Sequence, residues 1–267
     1  MLDKVKTLEG FKLRNLEGEI GKVKDFYFDD KHWTIRYLIV DTGNWLIGRQ
    51  VLISPHAVSS VNRNDRDISV RLTNKQIEES PPLSADKPVS RQFEEQINWY
   101  YGWTPYWGGP SVWGANAYPY FVGDYANVTG DHGRLMEPSV DEKAAWDPHL
   151  RSTRAVNGYH IQAADGEIGH VSDFIIDAKS WTIRYLVVDT RNWWMGKKVL
   201  VSPTWIEHID WGDSKVFVNL SRENIKLAPE YTEETFLTRD YEIRLHRHYN
   251  RPAYWPDGAI VEEVASR

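Results

Sequence analysis

Four aspartates and two arginines recur at one spacing, and they are the residues best placed to do chemistry. Asp25 and Asp41 reappear 148 positions later as Asp173 and Asp189, and Arg36 and Arg184 each stand five residues before the second aspartate. A carboxylate pair tuned by a neighbouring guanidinium could take acid and base roles. The competing reading is structural, an ion pair between Arg36 and Asp41 or a turn cap at a strand end, since structural networks also perturb carboxylates. No activated nucleophile and no partnered histidine stands nearby, so no catalytic residue is assigned and the chain is read as a non-enzyme.

Metal and cofactor chemistry finds little to use. None of the nine histidines falls at the same position in both halves of the chain, and there is no cysteine. His246 and His248 lie two apart on a predicted helix and point in different directions. No glycine-rich loop matches a phosphate or dinucleotide cradle. No metal ligand and no cofactor-binding residue is assigned.

Two loops are more suggestive. Residues 43–49 carry Trp45 and Arg49, and residues 191–198 carry Trp193, Trp194, Lys197 and Lys198. Large rings beside cations on a loop between strands resemble interface hot spots, and these six are the expected partner-binding residues. Trp beside Lys also suits RNA stacking. The net charge of −6 and the lack of a basic run argue against nucleic acid as the partner. A protein partner is expected, with homo-oligomerisation left open beside an internal pseudo-dimer of the two halves.

The elements that position these residues are repeated. Residues 10–58 align without a gap to 158–206, with 26 of 49 positions identical. The longest identical run is Trp33 to Leu38 against Trp181 to Leu186. The offset continues through Arg91, Glu94, Tyr101, Tyr106 and Trp107, which fall on Arg239, Glu242, Tyr249, Tyr254 and Trp255. The expected organisation is a first repeat over 1–107, with strands over 5–80 and a helix near 90–101. An aromatic, Gly- and Pro-rich linker follows over 108–154. A second repeat spans 155–255, with strands over 153–228 and a helix near 238–249, and a tail covers 256–267.

Within a repeat, Glu17-Gly18 and Asp165-Gly166 read as hairpin turns, because glycine accepts positive φ. Residues 33–40, apolar on both faces, read as a central strand. Thr73 and Ser221 stand where the N-caps of short helical turns belong, and the longer helices are expected to begin near Ser90 and Thr238. Phe93, Ile97 and Tyr101, like Tyr241, Leu245 and Tyr249, form one apolar stripe each. The pairs Tyr106-Trp107 and Tyr254-Trp255 are expected to anchor each helix on its own strands. Linker rings at Trp113, Tyr118, Tyr120 and Phe121 are expected to pack rather than bind a ligand. Five or six short strands hide their edges best by closing, so a small barrel is expected.

These motifs resemble the PRC-barrel family. The resemblance rests on residues 17–26, 33–42 and 51–55, repeated at 165–174, 181–190 and 199–203. Its signature residues here are Gly18, Gly21, Asp25, Arg36 and Asp41, with Gly166, Gly169, Asp173, Arg184 and Asp189. The implied fold is mainly β: two small barrels in tandem, each followed by an amphipathic helix and related by internal pseudo-symmetry. The resemblance implies kinship with the cytoplasmic domain of the photosynthetic reaction centre H subunit and with a domain of a ribosomal RNA maturation factor. It therefore implies docking onto a larger assembly, with a role in electron transport or at the ribosome as alternatives. No apolar run approaches a membrane span, and the N-terminus lacks the apolar core of a signal peptide, so a soluble cytoplasmic protein is expected.

Overall fold

The computed structural model describes residues 1–83, 89–120, 149–190, 196–232 and 235–255. Phe121, Trp193, Trp194 and the 256–267 tail lie outside the described residues. The first repeat runs β1 (Leu2–Lys4), α1 (Val5–Leu8), β2 (Lys12–Asn15), β3 (Gly18–Asp29), β4 (Thr34–Asp41), β5 (Gln50–Ile53), β6 (Val58–Asn62), β7 (Asp67–Val70), α2 (Asn74–Glu78) and α3 (Arg91–Tyr101). The second repeats that order as β8 (Leu150–Ser152), α4 (Thr153–Val156), β9 (His160–Ala163), β10 (Gly166–Asp177), β11 (Ile183–Asp189), β12 (Lys198–Val201), β13 (Ile206–Asp210), β14 (Lys215–Val218), α5 (Arg222–Leu227) and α6 (Arg239–His248).

The chain is mainly β and forms two seven-stranded sheets. One has the order β5-β4-β3-β2-β7-β6 with β8 added beside β3; the other has β12-β11-β10-β9-β14-β13 with β1 added beside β10. Among the described residues neither sheet closes into a ring of hydrogen bonds, which corrects the expected closed barrel. The chain leaves β5 through Ser54 and a 3-10 turn at Pro55–Ala57 before it enters β6. Proline has no N–H to give a ladder, so β5 and β6 turn a corner as the two ends of an open path. Pro203 does the same between β12 and β13.

The described residues cluster into two compact units, the first holding Met1, 3–155 and 176–183, the second Leu2, 156–175 and 184–255. In the first, β4 is the centre of the core: Ile35, Tyr37, Leu38, Ile39 and Val40 are all buried. Burying each such aliphatic side chain contributes roughly 1.5–3 kcal/mol, which makes this strand the main apolar anchor of its sheet. Also within this unit, Ile35 N donates to Trp181 O (2.9 Å) and Ile183 N donates to Trp33 O (2.6 Å), a reciprocal pair at the repeat offset. In the second unit, Tyr185, Leu186, Val187 and Val188 of β11 are buried in the same way.

The hairpin turn lies one residue earlier than the sequence suggests. Asn15 pairs with Gly18, so Leu16 and Glu17 form the loop, and the Asn15 side chain accepts from both Glu17 N and Gly18 N. The helix starts agree with the sequence reading. Thr73 accepts from Gln76 N in a capping box, Ser90 from Phe93 N, Ser221 from Asn224 N and Thr238 from Tyr241 N.

Candidate functional site

The repeated signature residues are mostly devoted to holding backbone. A Cβ on Gly21 would stand 2.2 Å from Asp41 O, and one on Gly169 would stand 2.1 Å from Asp189 O. Only glycine allows the two strands of each hairpin to approach so closely. Gly18 and Gly166 take φ of 141° and 139° at the start of their strands. Asp41 accepts from Gly43 N at 2.9 Å and has Lys24 at 3.9 Å, so it caps the turn at its strand end. Asp25 accepts from Phe26 N (2.7 Å), Thr153 Oγ1 (3.0 Å) and Ser152 Oγ (2.5 Å), and so fixes the start of α4. Asp173 accepts from Phe174 N in the same way.

Arg36 pairs with Asp29, its Nε donating at 2.7 Å, and not with Asp41. Arg36 is the extra residue of a bulge in the β3–β4 ladder, between the Tyr27–Tyr37 and Phe28–Ile35 pairs, and its side chain reaches Asp29, which pairs with Thr34 on the far side of that bulge. Burial works against ionising Asp29, yet hydrogen bonds from His32 and the Arg36 charge leave its carboxyl below the usual range.

A buried polar cluster that motif reasoning did not single out lies beneath each helix. In the first unit Glu94 of α3 is 0% exposed. Its Oε1 accepts from Tyr106 Oη (3.0 Å) and its Oε2 from Arg91 Nη1 (3.2 Å), and His149 Nε2 lies 2.5 Å from the same Oε2. Arg36 lies over the Tyr106 ring at 3.7 Å and donates to Val112 O at 2.7 Å. In the second unit Glu242 accepts from Tyr185 Oη (2.9 Å), Tyr254 Oη (2.7 Å) and Arg239 Nη1 (3.1 Å). Arg184 lies over the Tyr254 ring at 4.1 Å. Arg91 and Arg239 each lie 4.0 Å over Trp107 and Trp255. The Tyr-Trp pairs therefore do anchor each helix within its own repeat, through the helix carboxylate and arginine.

Burial pushes the Glu242 carboxyl above its ordinary value, against the hydrogen bonds from Tyr254 and Tyr185 and the charges of Arg239 and Arg184. Burial also raises the hydroxyls of Tyr37 and Tyr185 and brings Tyr241 to about 12. A carboxylate sealed in this way holds a fold together or stores a proton. The clue in the sequence was that Glu94 and Glu242 recur beside, rather than within, the apolar stripe of their helices.

Two of the expected partner-binding cations, Arg49 and Lys197, also hold helix ends. Arg49 donates to Glu78 O at 2.6 Å and to Ser80 O, at the C-terminus of α2. Lys197 donates to Lys226 O and, at 2.7 Å, to Ala228 O, at the C-terminus of α5. Lys198 pairs with Asp189 in the β11–β12 ladder. Trp45 is half-buried. The exposed apolar residue of its loop is Ile47, 95% exposed with φ of 47°, a conformation that β-branched residues rarely take. Leu16, at the β2–β3 turn, is also fully exposed. Of the linker rings, Trp113 is buried and donates to Ser180 O at 2.7 Å, whereas Tyr118 and Tyr120 are exposed.

Among the described residues no group of three or more His, Asp or Glu is arranged to hold a metal ion, and no helix is long and apolar enough to cross a membrane. The family model of the PRC-barrel domain matches residues 3–77 and 154–225, more than half of the chain. No curated protein matches it.

Proposed function

The chain belongs to the PRC-barrel domain family, and from that premise we propose that it is a non-enzymatic docking module that holds a protein partner at one end of its first sheet. The observation that supports this is the fully exposed, positive-φ Ile47 on the β4–β5 loop. Strain of this kind persists where the surroundings impose it, and it clusters at binding sites. Here the loop is braced from behind by Arg49 on the end of α2. Asp41 pairs with Lys22, four residues from the β2–β3 turn, so Leu16 and Ile47 project from the same end of the sheet. Two large aliphatic side chains beside a half-buried tryptophan suit an apolar patch on a protein better than a phosphate backbone.

The test is affinity capture from native extract at low and high salt, with the double variant Leu16→Ser, Ile47→Ser as control. Both side chains are exposed, so the variant should keep its unfolding midpoint. A salt-resistant partner held by the parent chain and lost from the variant is the expected result. Identical capture by both would overturn this reading.

A further inference from the structure

His246, Tyr185 and Glu242 make a chain of hydrogen bonds whose directions cannot all be satisfied without one extra proton. His246 Nδ1 faces Pro252 O at 2.9 Å. A carbonyl only accepts, so Nδ1 carries a hydrogen. His246 Nε2 lies 3.0 Å from Tyr185 Oη, and Tyr185 Oη lies 2.9 Å from Glu242 Oε1. The tyrosine has one hydrogen to give. If it donates to Glu242, then His246 must also be protonated at Nε2; if it donates to His246, then Glu242 must be protonated. Without the proton, two acceptors face a single hydrogen and one contact fails.

We propose that His246, Tyr185 and Glu242 bind one proton as a single unit and transmit its gain or loss to the Arg251–Trp255 segment. The segment is tied to this unit at several points. Arg251 N donates to His246 O at 3.0 Å, Tyr254 Oη donates to Glu242, and the Trp255 ring meets the His246 ring edge-on at 5.2 Å. A turn of the imidazole after proton loss therefore moves both the Pro252 contact and the Trp255 indole.

Among the described residues, the charged and titratable neighbours are Arg239 on α6, Arg184 on β11 and Tyr254 beyond the helix. Burial disfavours the ionised carboxylate and the imidazolium alike, with the Arg239 charge adding to the second effect. The proton is thus shared between groups driven toward one another in affinity, the condition for a joint titration. The first repeat has the same carboxylate and tyrosine positions, with His149 brought to Glu94 from an unrelated place in the sequence. Each cluster has acquired a histidine by a different route.

The experiment is NMR on the full chain from about pH 4 to about pH 9, a range that spans both free groups. It follows the His246 ring nitrogens, the Glu242 carboxyl carbon and the Trp255 indole. All three should move with one common midpoint, and Tyr185→Phe, which removes the linking hydroxyl, should split it into separate His246 and Glu242 midpoints. Separate midpoints in the parent chain, or a Trp255 signal that ignores pH, would overturn the proposal. The parent measurement decides the matter even if the variant does not fold.

Discussion

At Gly21 a methyl group would stand 2.2 Å from the Asp41 carbonyl oxygen, and at Gly169 it would stand 2.1 Å from that of Asp189. Neither oxygen is the end of a flexible side chain, so the strands themselves must separate. Gly21→Ala should therefore lower stability by about 1–3 kcal/mol, the range for overpacking. Urea unfolding monitored by tryptophan fluorescence measures this. A change under about 0.5 kcal/mol, typical of an unremarkable surface site, would mean the hairpin relaxes freely. The sequence shows these glycines as repeated but says nothing of what they touch. Arg36 makes the same point: its recurrence is plain, yet its partner, Asp29, is reached across a bulge in the β3–β4 ladder that linear spacing does not reveal.

Among the elements, the short helices α2 and α5 have their C-termini satisfied from loops distant in sequence. Arg49 and Lys197 occupy equivalent places in the two repeats and satisfy equivalent carbonyls, at Glu78 and Ser80 and at Lys226 and Ala228. A last turn without such donors leaves its carbonyls to water. Arg49→Ala and Lys197→Ala should each cost about 1.5–3 kcal/mol, as loss of hydrogen bonds from charged donors does. Hydrogen exchange should quicken at Ser80 and at Ala228, respectively. A variant that lost partner capture while keeping its stability and exchange rates would return these cations to the binding surface the sequence suggested. Helix starts were legible, because Thr73, Ser90, Ser221 and Thr238 cap residues only three places ahead. The ends of α2 and α5 were not, since the donors that satisfy them come from 29 to 31 residues away.

For the molecule as a whole, buried histidines couple stability to pH. His56 is held below its ordinary value by burial and by the Arg36 charge, against the opposing pull of the Tyr120 carbonyl. Below about pH 6.5 the unfolded chain then binds a proton that the fold declines, so stability falls as pH drops from there through the lower folded value. Asp29, lowered in the fold, adds a second loss at more acid pH, where its carboxylate must protonate. Thermal unfolding should accordingly show a lower midpoint at pH 5 than at pH 7, and His56→Gln should flatten that difference. An equal slope in the variant would assign the dependence to other groups.

The sequence by itself determined the duplication, the kinds of elements, the central place of β4 and the starts of the helices. These follow from residue identity over a few positions: alternation, caps and β-branched runs act locally. Only the tertiary structure decided that the sheets stay open at Pro55 and Pro203, that Arg36 turns to Asp29, and that Glu94 and Glu242 are sealed beneath their helices. Each of these depends on which side chains from distant segments share a buried space. Desolvation and cross-strand geometry set that, and neither can be read from spacing along the chain.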